Sequence, residues 1–224
     1  MKFHITYILA SVAAVYAVDE EVPPPECHGE LEYTVIDFEE DHVGKAFSKG
    51  SVPTRLPTGL RVAGRRPNWA KVPPTANDLL ILDARNPGAD DKDLRFPDEK
   101  MVMIISEDGD TSEPNDNRKG GTIFFRWSEP VFHVKSMTLL DIEKKNKAFI
   151  DGKDAENKKL RRIKFPAEGN RKASTVELDW YEVKRMKLRI KTSAAVAKLE
   201  VGICKGEDFP VDCVARQCRL IRSF

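Results

Sequence analysis

Two short apolar runs, each followed at once by a long acidic loop, constrain the fold of this chain more than any other feature. The first run is Leu-Leu-Ile-Leu at 79–82, and the second is Met-Val-Met-Ile-Ile at 101–105. Continuously apolar runs of this length are typical of strands buried on both faces, so we expect both to be central strands. Carboxylate-rich loops at the ends of such strands favour a β-sandwich with a cation or ligand site at one edge, where residues 83–93 and 107–117 converge.

The rest of the chain has the periodicity of strands rather than of helices. Residues 175–180 and 186–191 alternate between apolar and polar side chains, as in strands with one buried face. A hairpin turn is expected at 152–154. Three further strands are expected at 122–127, 131–134 and 137–142. The sequence therefore predicts an all-β fold, an antiparallel β-sandwich or jelly roll of about ten strands.

The N-terminus has the pattern of a secretory signal peptide. Lys2 precedes an apolar stretch at 5–15, and Val15 and Ala17 suit the −3 and −1 positions of a cleavage site, so we expect residues 1–17 to be removed. The apolar stretch is shorter than the ~20 residues that cross a bilayer, and no later segment is long enough. A secreted product is expected. It divides into an acidic, proline-rich lead-in (18–32), one β-sandwich domain (33–203) and a cysteine-containing tail (204–224).

The charge of the chain disfavours one class of partner. The chain has 37 basic and 36 acidic residues, and loss of Lys2 with the signal peptide leaves the product formally neutral. Proteins that hold nucleic acid usually carry an excess of positive charge, so a nucleic-acid partner is not expected. The sequence does not indicate an oligomeric state.

All four cysteines belong to the expected secreted product. They are Cys27, Cys204, Cys213 and Cys218. An even number of cysteines in an exported protein indicates two disulfides, for which three pairings exist. The ends of a closed sandwich are often neighbours, which favours Cys27 with Cys204 and leaves Cys213 with Cys218. The spacings fit no zinc ribbon.

The acidic loops supply the oxygen ligands that calcium requires. We expect a structural calcium ion with ligands among Asp37, Glu39, Asp83, Asn86, Asp91, Asp93, Glu107 and Asp110. The segment from Asp108 resembles the start of an EF-hand loop, but Glu113 stands where glycine is required and Lys119 where glutamate is required. The alternative is that these residues form solvated turns, since Asp, Asn, Gly and Pro favour turns for backbone reasons.

A second candidate site is a basic face. Residues 158–164 form a dense cationic run, and strand periodicity puts four more cations on one surface, namely Arg185, Lys187, Arg189 and Lys191. If the two strands are neighbours, this face can bind a sulfated or uronic polysaccharide, or anionic lipid headgroups. The alternative is the ordinary solvated face of a sheet.

Aromatic residues and catalytic motifs add little. Trp69 lies in a polar loop where an exposed indole can stack on a sugar, whereas Trp127 and Trp180 are expected in the core. The chain contains no nucleophile elbow, zinc-protease motif or phosphate-binding glycine loop, so we do not expect an enzyme.

Seven sequence segments follow one another along the chain: IDFE at 36–39, LPTGLRV at 56–62, ILDARNP at 81–87, MIISEDGDTSEPNDN at 103–117, GGTIFF at 120–125, VKSMTLLDIE at 134–143 and KLEV at 198–201. This series resembles an extracellular β-sandwich module of secreted or surface proteins in marine bacteria and some microbial eukaryotes, similar in outline to carbohydrate-binding jelly rolls. The resemblance covers 33–203 and implies fold and location. Family members tend to carry an aspartate where this chain has Ala197, which implies the loss of one cation ligand.

These observations favour a secreted, non-catalytic binding protein. The expected partner is a polysaccharide, a cell-surface glycan or the extracellular matrix. Two alternatives remain open: a secreted interaction protein, such as a pathogen effector or an inhibitor, that uses the sandwich as a scaffold, or a glycan-active enzyme.

Overall fold

The computed structural model describes residues 24–39, 41, 43–46, 59–65, 78–143 and 147–205. Antiparallel β-sheet predominates in this part of the chain, which confirms the all-β prediction. The helical segment found there is a 3-10 helix, Ala89–Leu94, and no described helix is long and apolar enough to cross a membrane. The described strands are β1 (Glu30–Ile36), β2 (Leu60–Arg65), β3 (Leu79–Asp83), β4 (Met101–Ile105), β5 (Gly121–Leu140), β6 (Ala148–Asp154), β7 (Ile163–Lys164), β8 (Ala173–Ile190) and β9 (Ala195–Lys205).

The strands form two layers that share β5 and β8. The first layer has the order β2-β5-β8-β6-β7 and uses the N-terminal half of β5. The second has the order β3-β4-β9-β5-β8, uses the C-terminal half of β5, and carries β1 beside β9. All these strand pairs are antiparallel, although several join strands that are distant in the chain, such as β1 with β9.

The pairing partners of β5 show that this strand is bent. Its first residue, Gly121, pairs with Ile190, and its last, Leu140, pairs with Ala195. A straight strand of this length would separate its ends by about 60 Å. The link from Ile190 to Ala195 reaches at most about 18 Å. Since both pairings hold, β5 folds back on itself, and the register shift in its middle marks the bend.

The sequence indicates three strands where the structure has one. β5 replaces those expected at 122–127, 131–134 and 137–142. Glu129 and Pro130 interrupt the hydrogen-bond register without ending the extended backbone. Proline lacks the N–H that a ladder requires, and it is tolerated at a bulge.

The two alternating segments 175–180 and 186–191 are likewise halves of one strand, β8. The backbone at Asp179 and Glu182 has positive φ angles of 50°. Trp180 and Val183 both point into the core, so the alternation between buried and exposed residues changes phase at this point. β8 can therefore follow β5 around the bend.

Two apolar clusters fill the sandwich. The larger lies between the layers and contains Trp127 and Trp180, as the sequence indicates. The smaller covers the other face of β3 and β4, where Leu94 and Phe96 of the 3-10 helix segment pack on Leu80. β3 and β4 are thus buried on both faces, as predicted, although β3 ends the order of its layer.

A disulfide and a histidine attach β1 to the sandwich. Cys27 and Cys204 form a disulfide with 5.6 Å between their Cα atoms, while Cys213 and Cys218 lie outside the described residues. The buried ring of His133 donates from Nε2 to Asp179, since a carboxylate only accepts, and its Nδ1 lies 2.9 Å from the hydroxyl of Tyr33. The sequence left three cysteine pairings open, and the structure contains the favoured one.

The hairpin turn expected at 152–154 lies elsewhere. These residues belong to β6, and the chain turns immediately after them. Gly152 is needed for packing instead, because a Cβ atom at this position would lie 2.7 Å from the ring of Trp180. That ring packs across β6 from β8, so a side chain at residue 152 would force the two strands apart.

We predict that Gly152→Ala lowers the free energy of unfolding by about 1–3 kcal/mol, the usual effect of overpacking a closely packed core. Urea unfolding monitored by tryptophan fluorescence measures this loss. Gly88→Ala is the matched control, since nothing lies within 4 Å of an added Cβ there, and it should stay within about 0.5 kcal/mol. Equal stability of both variants would contradict the packing of Trp180 on Gly152.

Candidate functional site: an acidic cluster and a basic groove

Five carboxylates gather at the end of the sandwich where the two ends of β5 meet. Asp91 and Asp93 come from the 3-10 helix, Asp116 precedes β5, and Asp141 and Glu143 follow it. The bend brings the segments before and after β5 to the same end of the molecule. We refer to these five residues as the acidic cluster.

The distances within the acidic cluster are short. Asp93, Asp141 and Glu143 each offer a carboxylate oxygen, and these three oxygens lie within 4.8 Å of one another. The backbone N–H of Asp116 donates to the carboxylate of Asp91 at 3.2 Å. Three acids at such distances can hold a metal ion.

Several of these oxygens are buried without a hydrogen bond. Asp141 is 0% exposed and Asp116 is 3% exposed. Asp141 accepts one hydrogen bond, from the backbone N–H of Arg171 at 2.9 Å, through Oδ1. Its Oδ2, together with Oδ2 of Asp116 and Oδ1 of Asp93, has no hydrogen-bond partner among the described residues. Buried oxygens normally have a partner, so the cluster is electrostatically unfavourable on its own.

The protonation equilibria reflect this crowding. Burial raises the pKa of Asp116 to about 8, and the carboxylates of Asp91 and Asp93 act in the same direction, whereas the hydroxyl of Ser193 opposes them. Burial also raises the pKa of Asp141 to about 6, against the effect of its hydrogen bond from the backbone of Arg171. In this site, burial and the neighbouring acids therefore favour the protonated, neutral form of both carboxyl groups.

The two acidic loops converge because the 3-10 helix brings the first loop back to the second. They leave the β3–β4 pair at opposite ends, because these strands are antiparallel and Asp83 pairs with Met101. The 3-10 helix then runs back along the pair, so that Asp91 contacts Asp116. The expected convergence of 83–93 and 107–117 therefore depends on this helix and not on the strand ends.

Of the eight expected calcium ligands, the structure places only Asp91 and Asp93 in the acidic cluster. Glu39 accepts hydrogen bonds from the backbone N–H groups of Lys100 and Met101. The backbone of Glu39 in turn donates to Asp37. These bonds fix the crossing of the N-terminal segment over β4.

The other four expected ligands lie in their own loops. Asp83 pairs with Arg85, and Asp110 accepts from the backbone and hydroxyl of Ser112. The backbone of Glu107 bonds to Asn115, and Asn86 bonds through its backbone to Asp83. These residues stabilise turns, which is the alternative that the sequence left open.

Asp141 and Glu143 are candidate ligands that the expected set does not contain. Asp141 directly follows Leu140, the end of β5, so it satisfies the same pattern of an acid after a buried strand. Ala197 occupies the position at which the resembled module tends to carry an aspartate. It is fully buried in the smaller apolar cluster. An acid there would face Leu80 and Ile104 rather than the acidic cluster.

A groove on the outer face of the first layer collects basic side chains. It has a volume of about 700 Å³ and is formed by β2, β5, β6, β8 and the segment before β7. We call it the basic groove. Its lining consists of Arg61, Arg126, Lys153, Lys159, Arg162, Arg185, Lys187 and Arg189, with Val62, Ala63, Phe124, Phe125, Gly152, Leu160, Met186 and one acid, Asp151.

Three of the four basic residues expected at 185–191 line this groove, and these three lie in β8. Arg185 pairs across the ladder with Lys153, and Arg189 pairs with Phe149 of β6. Lys191 lies just beyond the groove, with its ammonium 5.5 Å from the Phe149 ring. The cationic run 158–164 reaches the same groove through the segment before β7, and β7 itself flanks β6 rather than β8.

Aromatic rings and one carboxylate hold the basic side chains in place. Phe149 lies beneath the guanidinium groups of Arg162 and Arg189, at 4.8 and 5.3 Å from its ring centre. Asp151 accepts two hydrogen bonds from Arg162, at 2.6 and 3.1 Å. Stacked and tethered cations lose less conformational freedom when they bind an anion, which favours binding.

Other cations in the groove are not neutralised. Within the described residues no carboxylate pairs with Arg61, Arg126 or Lys187. Nε of Arg185 is buried without a hydrogen-bond partner. The groove therefore offers hydrogen-bond donors and positive charge to a ligand, whereas Trp69, the expected stacking residue, lies outside the described part of the chain.

A scan against protein-family models and a search of curated proteins found no match to this chain. The resemblance to an extracellular sandwich module thus stays a prediction, and the two sites have to be interpreted from their own chemistry.

We predict that Asp116→Asn stabilises the protein in a pH-dependent way in metal-depleted buffer. The pKa of Asp116 is raised from 3.8 to about 8 in the folded state. Its ionisation therefore destabilises the fold, with no effect below about pH 4 and the full effect above about pH 8. Urea unfolding should show the variant close to wild type at pH 4.5 and more stable by about 1–3 kcal/mol at pH 8.5.

Asp110→Asn serves as the control, because Asp110 is an exposed carboxylate whose pKa is lowered by hydrogen bonds from Ser112. This variant should gain no stability at high pH. If Asp110→Asn gains as much stability as Asp116→Asn, crowding in the acidic cluster is not the cause.

Proposed function

We propose that this chain is a secreted, non-catalytic binding protein whose basic groove binds an anionic polysaccharide with sulfate or uronate groups. The observation that supports this proposal most directly is the groove itself, in which eight basic side chains surround one acid. The expected product is neutral overall, so this density of positive charge is local to the groove. Local charge of this kind favours a specific anionic ligand over general attraction to polyanions.

The chemistry of the groove suits a charged sugar polymer. Guanidinium groups donate two parallel hydrogen bonds to carboxylates and to similar oxyanions, so Arg61 and Arg126 match sulfate or uronate groups. Phe124 is 37% exposed beside Lys187. An exposed ring next to a cation provides an apolar surface for the C–H face of a sugar and a charge for its substituent.

The shape of the groove favours a polysaccharide over a lipid surface. The basic side chains line a concavity of about 700 Å³, whereas a bilayer presents a flat array of headgroups. An extended chain enters such a groove and contacts its floor and both sides. Anionic lipid is therefore an outcome to be tested against the proposal rather than part of it.

The proposed protein is secreted and carries a structural metal ion. The disulfide between Cys27 and Cys204 is of the kind that persists in an oxidising compartment, in agreement with the expected signal peptide. We propose calcium as a structural cofactor in the acidic cluster, since calcium prefers oxygen ligands alone. The sandwich then acts as a stable carrier for the groove.

We predict that Arg61→Gln, Arg126→Gln and Lys187→Gln together weaken binding to heparin roughly tenfold or more, since each removes a cation that no carboxylate neutralises among the described residues. Isothermal titration with heparin oligosaccharides measures the change. The matched control is Lys135→Gln, Lys198→Gln and Lys205→Gln, which removes the same charge from lysines paired with acids outside the groove. The control should bind within about twofold of wild type.

Three outcomes would reject the proposal. They are equal loss in the two triple variants, absence of binding to any sulfated or uronic polysaccharide on a glycan array, and release of reducing ends from a bound polysaccharide. Tight binding to phosphatidylserine vesicles without polysaccharide binding would identify the groove as a lipid site.

Charge reversal at Lys187, Arg189 and Lys191 should abolish retention on heparin altogether.

A further inference from the structure

We infer that one calcium ion binds in the acidic cluster and joins the two ends of β5, an inference that rests on the structural calcium of the proposed function. The ligands are oxygens of Asp93, Asp116, Asp141 and Glu143. Only Asp93 of these four is among the ligands that the sequence indicates. The ion thus has a different ligand set from the expected one and a definite place in the fold.

The unpartnered oxygens point to a ligand independently of the acids being close together. Oδ2 of Asp141 and Oδ2 of Asp116 belong to buried side chains and accept no hydrogen bond from the described residues. No ion pair joins either carboxylate to a basic side chain in that part of the chain. A buried carboxylate oxygen that has no donor, on a side chain with no basic partner, is unfavourable, and a metal ion would bind the oxygen and balance its charge at once.

The chemistry of the donor atoms favours calcium. All four side chains offer hard oxygen atoms, and the cluster contains neither imidazole nor thiolate. The oxygens of Asp93, Asp141 and Glu143 lie within 4.8 Å of one another, close enough for one calcium ion to contact all three. Magnesium requires near-ideal octahedral geometry and gives up its water reluctantly, so it is seldom held by protein carboxylates alone.

The position of the ion gives it a mechanical role. Asp93 belongs to the connection between β3 and β4, Asp116 lies before the first residue of β5, and Asp141 lies after its last. An ion held by all three connects the end of the first layer with the end of the second. The disulfide joins β1 to β9, so it does not provide this connection.

The test is calcium titration of the full secreted chain after removal of divalent ions. Wild type should bind one calcium ion per chain by calorimetry, and its melting temperature should rise by about 5–10 °C at calcium roughly a hundredfold above Kd. Magnesium at the same concentration should raise it by less. Asp141→Asn should lose the heat of binding and the rise in melting temperature. Asp110 is an expected ligand that lies outside the acidic cluster, so Asp110→Asn should retain both.

The melting temperature of Asp141→Asn in metal-free buffer distinguishes the loss of a calcium ligand from misfolding of the variant. In metal-free buffer Asp141→Asn removes a charge from a crowded site, and the new amide can donate to Asp93 or Glu143, so it should melt at or above wild type. With calcium present, the order should reverse. The inference is overturned if wild type binds no calcium, if magnesium acts as strongly, if Asp110→Asn abolishes binding, or if Asp141→Asn melts below wild type in both buffers.

The calcium and glycan proposals fail separately. Calcium titration uses no polysaccharide, and heparin titration of the groove variants uses protein loaded with calcium. Calcium binding without heparin binding would reject the proposed function and keep the ion in its site. Heparin binding by a chain that takes up no calcium would reject the ion alone.

Discussion

The bend in β5 determines where both candidate sites lie. Because the strand folds back on itself, Asp116 before it and Asp141 after it come together at one end of the sandwich, where the 3-10 helix adds Asp91 and Asp93. The same bend leaves the N-terminal half of β5 in a separate layer with β2, β8 and β6. The outer face of that layer forms the basic groove. A straight β5 would have neither a closed acidic end nor this separate concave face.

The bend also separates charges that cancel in the whole chain. Acids collect where the strands end and are partly enclosed, so their repulsion acts in a medium that screens it poorly. Basic residues lie along an open groove, where water and the rings of Phe124 and Phe149 stabilise them. The formal neutrality of the expected product therefore says little about either site. Local placement, which depends on the pairing of distant strands, decides what each can bind.

Local patterns in the sequence predict the strands well but not the pairing between them. The run 101–105 is a strand with the predicted bounds, and the period-two pattern of 175–180 and 186–191 identifies which residues of β8 face the core. Neither pattern reveals that Ile190 and Ala195 pair with opposite ends of β5. Asp141 was not among the expected ligands for this reason, since an acid after a strand becomes a candidate ligand only when other acids lie beside it. Gly152 was assigned to a turn because its neighbour in space, Trp180, is distant in sequence.

The burial of the acidic cluster bears on how calcium and polysaccharide relate to each other. Some sugar-binding proteins use a metal ion to coordinate sugar hydroxyls directly, which requires open coordination positions facing solvent. Asp141 is 0% exposed and Asp116 is 3% exposed, so the cluster is open to water beside Glu143, which is exposed, and Asp93, which is half-buried. The proposed ion would complete its coordination with water on that side, and none of the cluster residues lines the basic groove. Calcium would then affect polysaccharide binding through the stability of the sandwich, because the proposed ion would hold the ends of β5, and the N-terminal half of that strand carries Phe124 and Arg126.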